Sequence, residues 1–200
     1  MDLVVIALTF AAIFLVELPD KTFIATLVLS TRFHPLLVWL GVGMAFAVQT
    51  GIAVGLGKAA SLLPLTWVRL AAVLLFVIGA LLLFRAARSA DAGEAKTEEE
   101  FAERAGAPKQ GLKAVGASFL VLSAAEWGDL SQLLTLSLVA KYDDPVSVFV
   151  GALAALLAVS GLAVLAGRVL LSRIRLSTLH YLGGGMCLVL ASITLVELLT

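Results

Sequence analysis

Two short stretches of this 200-residue sequence hold acids where acids are costly: Glu17-Leu18-Pro19-Asp20-Lys21-Thr22 and Glu126-Trp127-Gly128-Asp129-Leu130-Ser131. Each sets a glutamate and an aspartate three residues apart, the spacing that puts both carboxylates on one face of a helix. Each lies near the middle of a long apolar run. A charge at the centre of a bilayer costs at least about 2.5–3.5 kcal/mol. Glu17, Asp20, Glu126 and Asp129 are therefore expected to turn away from lipid and toward one another. With Lys21 as the only cation beside them, the four acids and the lysine would sum to a formal charge of −3 if all were ionised. A low-dielectric interior does not hold that without a cation or protons.

Hard carboxylate oxygens without histidine or cysteine nearby suit Ca²⁺, Mn²⁺ or Mg²⁺ rather than Zn²⁺ or Cu⁺. Further oxygens are close in sequence: the hydroxyls of Thr22, Thr26, Ser131 and Thr135, and the Gln132 amide. Pro19 has no backbone N–H, so the carbonyl of Leu15 loses its helical donor and becomes another potential ligand. Gly128 holds the matching position in the second stretch. When a metal leaves such a cluster, the crowded carboxylates repel and take up protons, so metal and protons compete for one site. Alternating exposure of that site would exchange one for the other.

The elements that must position these acids are membrane helices. Hydrophobic residues make up 61% of the chain, charged residues 14%, and the mean hydropathy is +1.07. A soluble domain carries about 25% charged residues. The zero net charge leaves no nucleic-acid footprint, and the single Cys187 forms no internal disulfide. No cofactor is expected beyond the transported ion. The N-terminal apolar run shows neither a basic start nor a small-residue cleavage site, so it reads as a helix and not as a removed signal. Six segments are long enough to span a bilayer: about 3–30, 36–57, 67–84, 114–140, 147–167 and 178–199. The first and fourth are long and contain the acids, and should be kinked or tilted. Residues 85–113, with six basic and six acidic side chains, read as a solvated linker, partly helical or disordered.

The chain also repeats itself. Glu17, Asp20, Thr22 and Thr26 match Glu126, Asp129, Ser131 and Thr135 at a spacing of 109. Val38–Lys58 then aligns with Val148–Arg168 at 110, with Gly41, Gly51 and Gly57 meeting Gly151, Gly161 and Gly167. Three helices per half make the halves cross the membrane in opposite senses, the inverted plan of many secondary transporters. The expected fold is an all-α membrane protein of six transmembrane helices: residues 1–84 as one repeat, 85–113 as linker, 114–200 as the second. Lys and Arg divide ten (Arg32, Arg85, Arg88, Lys96, Arg104, Lys109, Lys113, Arg168, Arg173 and Arg175) against three (Lys58, Arg69 and Lys141). That bias puts the linker in the cytoplasm and both termini outside.

Two copies of Glu-x-Gly-Asp-(Lys/Arg)-(Ser/Thr) on the first helices of two three-helix halves resemble the Golgi-type calcium/manganese cation:proton antiporter family. The resemblance covers nearly the whole chain, linker included. It implies a six-helix exchanger that moves Mn²⁺ and/or Ca²⁺ out of the cytosol against protons, with the acidic pairs falling on Glu17 and Asp20 and on Glu126 and Asp129. Two positions depart from the pattern: Pro19 replaces the first glycine, and Leu130 replaces the second basic residue. Lys21 is then either a tethered counter-ion for the empty site or a structural partner of Asp20. For 200 residues without a long N-terminal extension, a bacterial plasma membrane is the simplest expected location; the oligomeric state is open.

The remaining residues read more plainly. Trp39 and Trp67 are expected as interfacial anchors and Trp127 as packing. The matched glycines are expected to admit close helix approach, and Gly183-Gly184-Gly185 to pack tightly or bend. His34 and His180 are expected as non-ligands. Gln49 and Ser160 either line the path or hydrogen-bond between helices, and Glu197 is expected in solvent. An intramembrane aspartyl protease would show a Gly-x-Gly-Asp signature, which is absent. An exporter of small organic solutes would have to receive a carboxylate with Lys21 alone against four acids. A channel would not need the inverted repeat.

Overall fold

The computed structural model describes residues 1–18, 20–62, 64–88, 90–173 and 176–199, and the side chains of these except 65, 68, 90–95, 166–173, 176, 177, 179 and 197. The expectations for Pro19, Arg175 and the side chains of Gly167, Arg168, Arg173 and Glu197 therefore lie outside the described residues. The apolar runs fold as helices in the order α1 Leu3–Glu17, α2 Lys21–Arg32, α3 Pro35–Ala60, α4 Leu65–Ala87, α5 Ala90–Ala105, α6 Leu112–Ala125, α7 Leu130–Tyr142, α8 Pro145–Arg173 and α9 Leu176–Leu199. There is no strand among the described residues. Helix starts follow local chemistry. Asp2 accepts the Val4 N–H, and Asp144 accepts both the N–H and the hydroxyl of Ser147. Pro35 opens α3 at a position that needs no donor.

Length and composition qualify α3, residues Arg69–Ala87 of α4 and residues Pro145–Leu165 of α8 as membrane spans. α1 and α2 qualify together as one span bent by 71°. α6 and residues His180–Val196 of α9 are apolar but shorter, so the six-span count remains an expectation. The two kinked segments are each a pair of helices meeting at a break. At both breaks the aspartate leaves helical geometry, Asp20 at φ −84, ψ 166 and Asp129 at φ −72, ψ 165. Its N–H closes the same turn each time, Asp20 to the Glu17 carbonyl at 3.0 Å and Asp129 to the Glu126 carbonyl at 3.1 Å. The second break also uses Gly128 at φ +74, a left-handed conformation that glycine adopts without a Cβ clash.

The matched halves make matched contacts. A Cβ built on Gly41 of α3 would stand 2.4 Å from the Val115 carbonyl and 2.9 Å from the Ser118 Cβ of α6. One built on Gly151 of α8 would stand 2.6 Å from the Ile6 carbonyl and 2.9 Å from the Thr9 Cβ of α1. Ile6 and Thr9 precede Val115 and Ser118 by the same 109 positions. Gly57 likewise admits the Leu136 carbonyl. Gly183 takes the Leu15 carbonyl and Gly184 the Phe84 ring. Gly51 has nothing within 4 Å, and Gly161 meets only the Trp39 nitrogen at 3.5 Å, so neither is a point of backbone approach. Trp39 ties α3 to α8 through a 3.1 Å hydrogen bond to the Leu157 carbonyl, more than an interfacial anchor does.

Two features break the match. Residues 90–105 of the charged linker form α5, which docks on α2 and touches α6 and α9. Phe101 and Ala105, one helical turn apart, are buried there, and Arg32 donates to the Gly106 carbonyl. Residues Thr22–Leu29 of α2 are consequently buried all round. The other feature is the α4–α9 pair. It packs on α1 through α9 and on α7 through α4, whereas the counterpart pairings, α4 with α6 and α9 with α2, make at most marginal contact among the described residues. At the far end, Lys58 meets Asp143 at 2.6 Å, and its hydrogen bond holds that exposed carboxyl below the usual carboxylate range.

Candidate metal centre

Both breaks meet at the centre of the bundle because α1 packs on α8 while α6 packs on α3, and α3 and α8 pack on each other. Glu17 is fully buried, Glu126 almost so, and the Asp129 side chain is 11% exposed. One potential ligand oxygen from each of Glu17, Glu126 and Asp129 lies within 4.8 Å of the other two. Each glutamate takes one hydroxyl five residues ahead: Thr22 donates to Glu17 Oε1, and Ser131 to Glu126 Oε2 at 3.4 Å. The other oxygens, Glu17 Oε2, Glu126 Oε1 and Asp129 Oδ2, are buried with no hydrogen-bond partner. A buried carboxylate oxygen left unpaired is destabilising. The three carboxyl groups together make a site that a hard divalent cation or protons would complete.

Lys21 Nζ pairs with Asp129 Oδ1 at 2.9 Å, its side chain still 44% exposed. The lysine of the first motif thus serves the aspartate of the second, not its neighbour Asp20. Asp20 is half-buried and stands outside the three-carboxylate group, within electrostatic reach of Asp129, Glu17 and Lys21. Asp20 and Asp129 both line a cavity of about 270 Å³. Its walls are Val16, the Leu75–Ala86 stretch of α4, the start of α7 and His180 of α9. His180, set aside from the sequence, is therefore on the approach to the acids. Leu130 occupies the place of the second basic residue; its Cδ1 would be 2.7 Å from a Cβ on Gly79, so it fills a groove against α4.

The other sequence candidates divide. Thr22 and Ser131 touch the glutamates. The Thr26 hydroxyl is buried without a partner, and Thr135 donates to the Ser131 carbonyl of its own helix. Gln132 Oε1 accepts the Gly128 N–H at 2.9 Å, and its Nε2 donates to Gln49 Oε1 at 2.8 Å, so both ends of its amide are engaged. Gln49 donates in turn to the Ser123 carbonyl at 3.1 Å. Gln49 thus bonds across the halves, whereas Ser160 donates to the Leu157 carbonyl of its own helix. Trp127 is 72% exposed and does not pack the pocket. Glycine at the second break was the available sign that a side chain must hold that turn.

The profile described as "Divalent cation/proton antiporter GDT1" matches residues 5–91 and 114–200 of this sequence. The gap between the two matched blocks is mostly the charged linker. GDT1-like protein 1, chloroplastic, of Oryza sativa subsp. indica is 33% identical over 212 residues, which covers 96% of this chain and 62% of that protein. Protein PAM71, chloroplastic, of Arabidopsis thaliana is 33% identical, covering 97% of this chain and 57% of its own length. The GDT1-like protein sll0615 of Synechocystis is 32% identical over 176 residues, covering 84% and 85%. The chain spans about three fifths of the two plant relatives. No solved structure matches.

Proposed function

This chain belongs to the GDT1 family of divalent cation/proton antiporters, and from that premise we propose that it carries Mn²⁺ and/or Ca²⁺ out of the cytosol in exchange for protons. The transport site in this reading is Glu17, Glu126 and Asp129, with Asp20 at its mouth and Thr22 and Ser131 holding the glutamates. The observation that carries it is the convergence of three buried carboxyl groups, each with one oxygen that has no hydrogen-bond partner. Either a cation bridges them or protons neutralise them, and these two loads exclude each other on electrostatic grounds. Lys21 supplies a third arrangement, a resident cation on Asp129 when neither load is bound.

The packing of α4 and α9 supports a direction of approach. The cavity that reaches Asp20 and Asp129 runs along the later turns of α4 and the first turns of α9. Those ends lead into the basic segments around Arg85 and Arg88 and around Arg173 and Arg175, which the charge bias puts in the cytoplasm of a bacterial cell, with both termini outside. In this reading the described conformation offers the acids to the cytoplasmic side. The opposed senses of the two halves would provide the other exposure. An organic-solute exporter fits less well, since Lys21, the one cation beside the acids among the described residues, already pairs with Asp129.

Proton release on metal binding tests the site directly. Adding MnCl₂ or CaCl₂ to the purified protein in weakly buffered detergent should release protons, and Glu126→Gln should reduce the release. Metal binding that displaces no protons would remove the exchange mechanism.

A further inference from the structure

The geometry points to Gln49 as a positioning residue for the second acidic break, acting through Gln132; this rests on the reading of Glu126 and Asp129 as transport ligands. The last carbonyls of a helix have no partner of their own. α6 ends at Ala125, and the Ser123 carbonyl in its last turn is met by Gln49 Nε2 from α3. Gln49 Oε1 receives Gln132 Nε2, and Gln132 Oε1 receives the N–H of Gly128, the residue in left-handed conformation. Three hydrogen bonds therefore run from the end of α6, through a helix of the other half, to the turn that sets Asp129. Gln49 is buried, and the oxygen and nitrogen of each amide both have a partner.

The first break shows no such bracket among the described residues. At the repeat spacings, Gln132 corresponds to Phe23 and Gln49 to Val159. Phe23 and Val159 instead pack with Leu18, Ala163 and Phe14 in a small apolar cluster. One break is held by directional bonds and its counterpart by apolar contact, which has no preferred angle. The bracketed break keeps Glu126 and Asp129 at a fixed separation, while the apolar one lets Glu17 and Asp20 shift as the load changes. Outer partners of ligands behave this way elsewhere: removing one costs about 10–100-fold in metal affinity.

The test compares Gln49→Leu, Gln132→Leu, the double variant, and the pair Gln49→Val with Gln132→Phe, which copies the packing the first half already tolerates. Calorimetric titration with MnCl₂ and Mn²⁺-dependent proton flux in liposomes give affinity and maximal rate separately. Each variant should weaken Mn²⁺ binding about 10–100-fold and lower the maximal rate far less. The double variant should be no worse than either single change, because both act through one chain of bonds. Variants that bind as wild type does, or penalties that add, overturn the inference while leaving the site reading intact. The same titrations with CaCl₂ serve where Ca²⁺ is the ion bound, and wild-type protein that binds neither ion overturns both.

Discussion

Lys21 decides how the acids share charge. Its ammonium group reaches across the halves to Asp129, leaving Glu17 and Glu126 with one unpaired oxygen each. Neutralising any of the four acids, by Glu17→Gln, Asp20→Asn, Glu126→Gln or Asp129→Asn, should abolish metal-dependent proton flux while expression stays near wild type. Two or more fully active variants would move the site elsewhere. Lys21→Met should leave Asp129 without its cation and tighten Mn²⁺ binding in calorimetry, since the metal no longer competes with a tethered charge; weaker binding would make the lysine a structural partner. At this scale the sequence was informative about acids and hydroxyls, because their spacing within one break is local. It did not show the Lys21–Asp129 pair or the Gln49–Gln132 bracket, because both join residues far apart in the chain. The exposure of Trp127 and the place of His180 at the cavity likewise depend on how α4 and α9 pack.

Helices approach closely where glycine lets them, and the sequence marked the right residues at three of the matched positions. Gly41 and Gly151 sit against carbonyls of the opposite half's first helix, and Gly57 against α7. Gly41→Ala or Gly151→Ala should destabilise by about 1–3 kcal/mol through overpacking, read as a lower unfolding midpoint in detergent. Gly51→Ala, with open space around it, should not. Both breaks were legible because charge, with proline in the first and glycine in the second, interrupts apolar runs. The docking of α5 was not. Its composition is that of a solvated segment, and among its described side chains only Phe101 and Ala105, one turn apart, are fully buried, with Ala102 packed beside them. Phe101→Asp should release α5 from α2, and faster hydrogen exchange over residues 96–105 and 22–29 would report it; unchanged exchange would mean that the anchor lies elsewhere.

For the molecule as a whole, the sequence repeat and the contact pattern agree at α1 with α8 and α6 with α3, then diverge at α4 and α9. The repeat alone does not contain that divergence, since two equivalent halves predict equivalent packing. A transporter that alternates must be unequal at any one moment, and the cavity beside Asp20 and Asp129 lies where the halves differ. The most direct test of exchange at these acids uses the purified protein in liposomes with a trapped pH dye and an imposed proton gradient. Mn²⁺, Ca²⁺ and Mg²⁺ are added in turn to wild type and to Asp129→Asn. The account predicts that Mn²⁺ or Ca²⁺ dissipates the gradient in wild type and has no effect in the variant. A gradient that no metal disturbs, or one that Asp129→Asn collapses as fast as wild type, would contradict it.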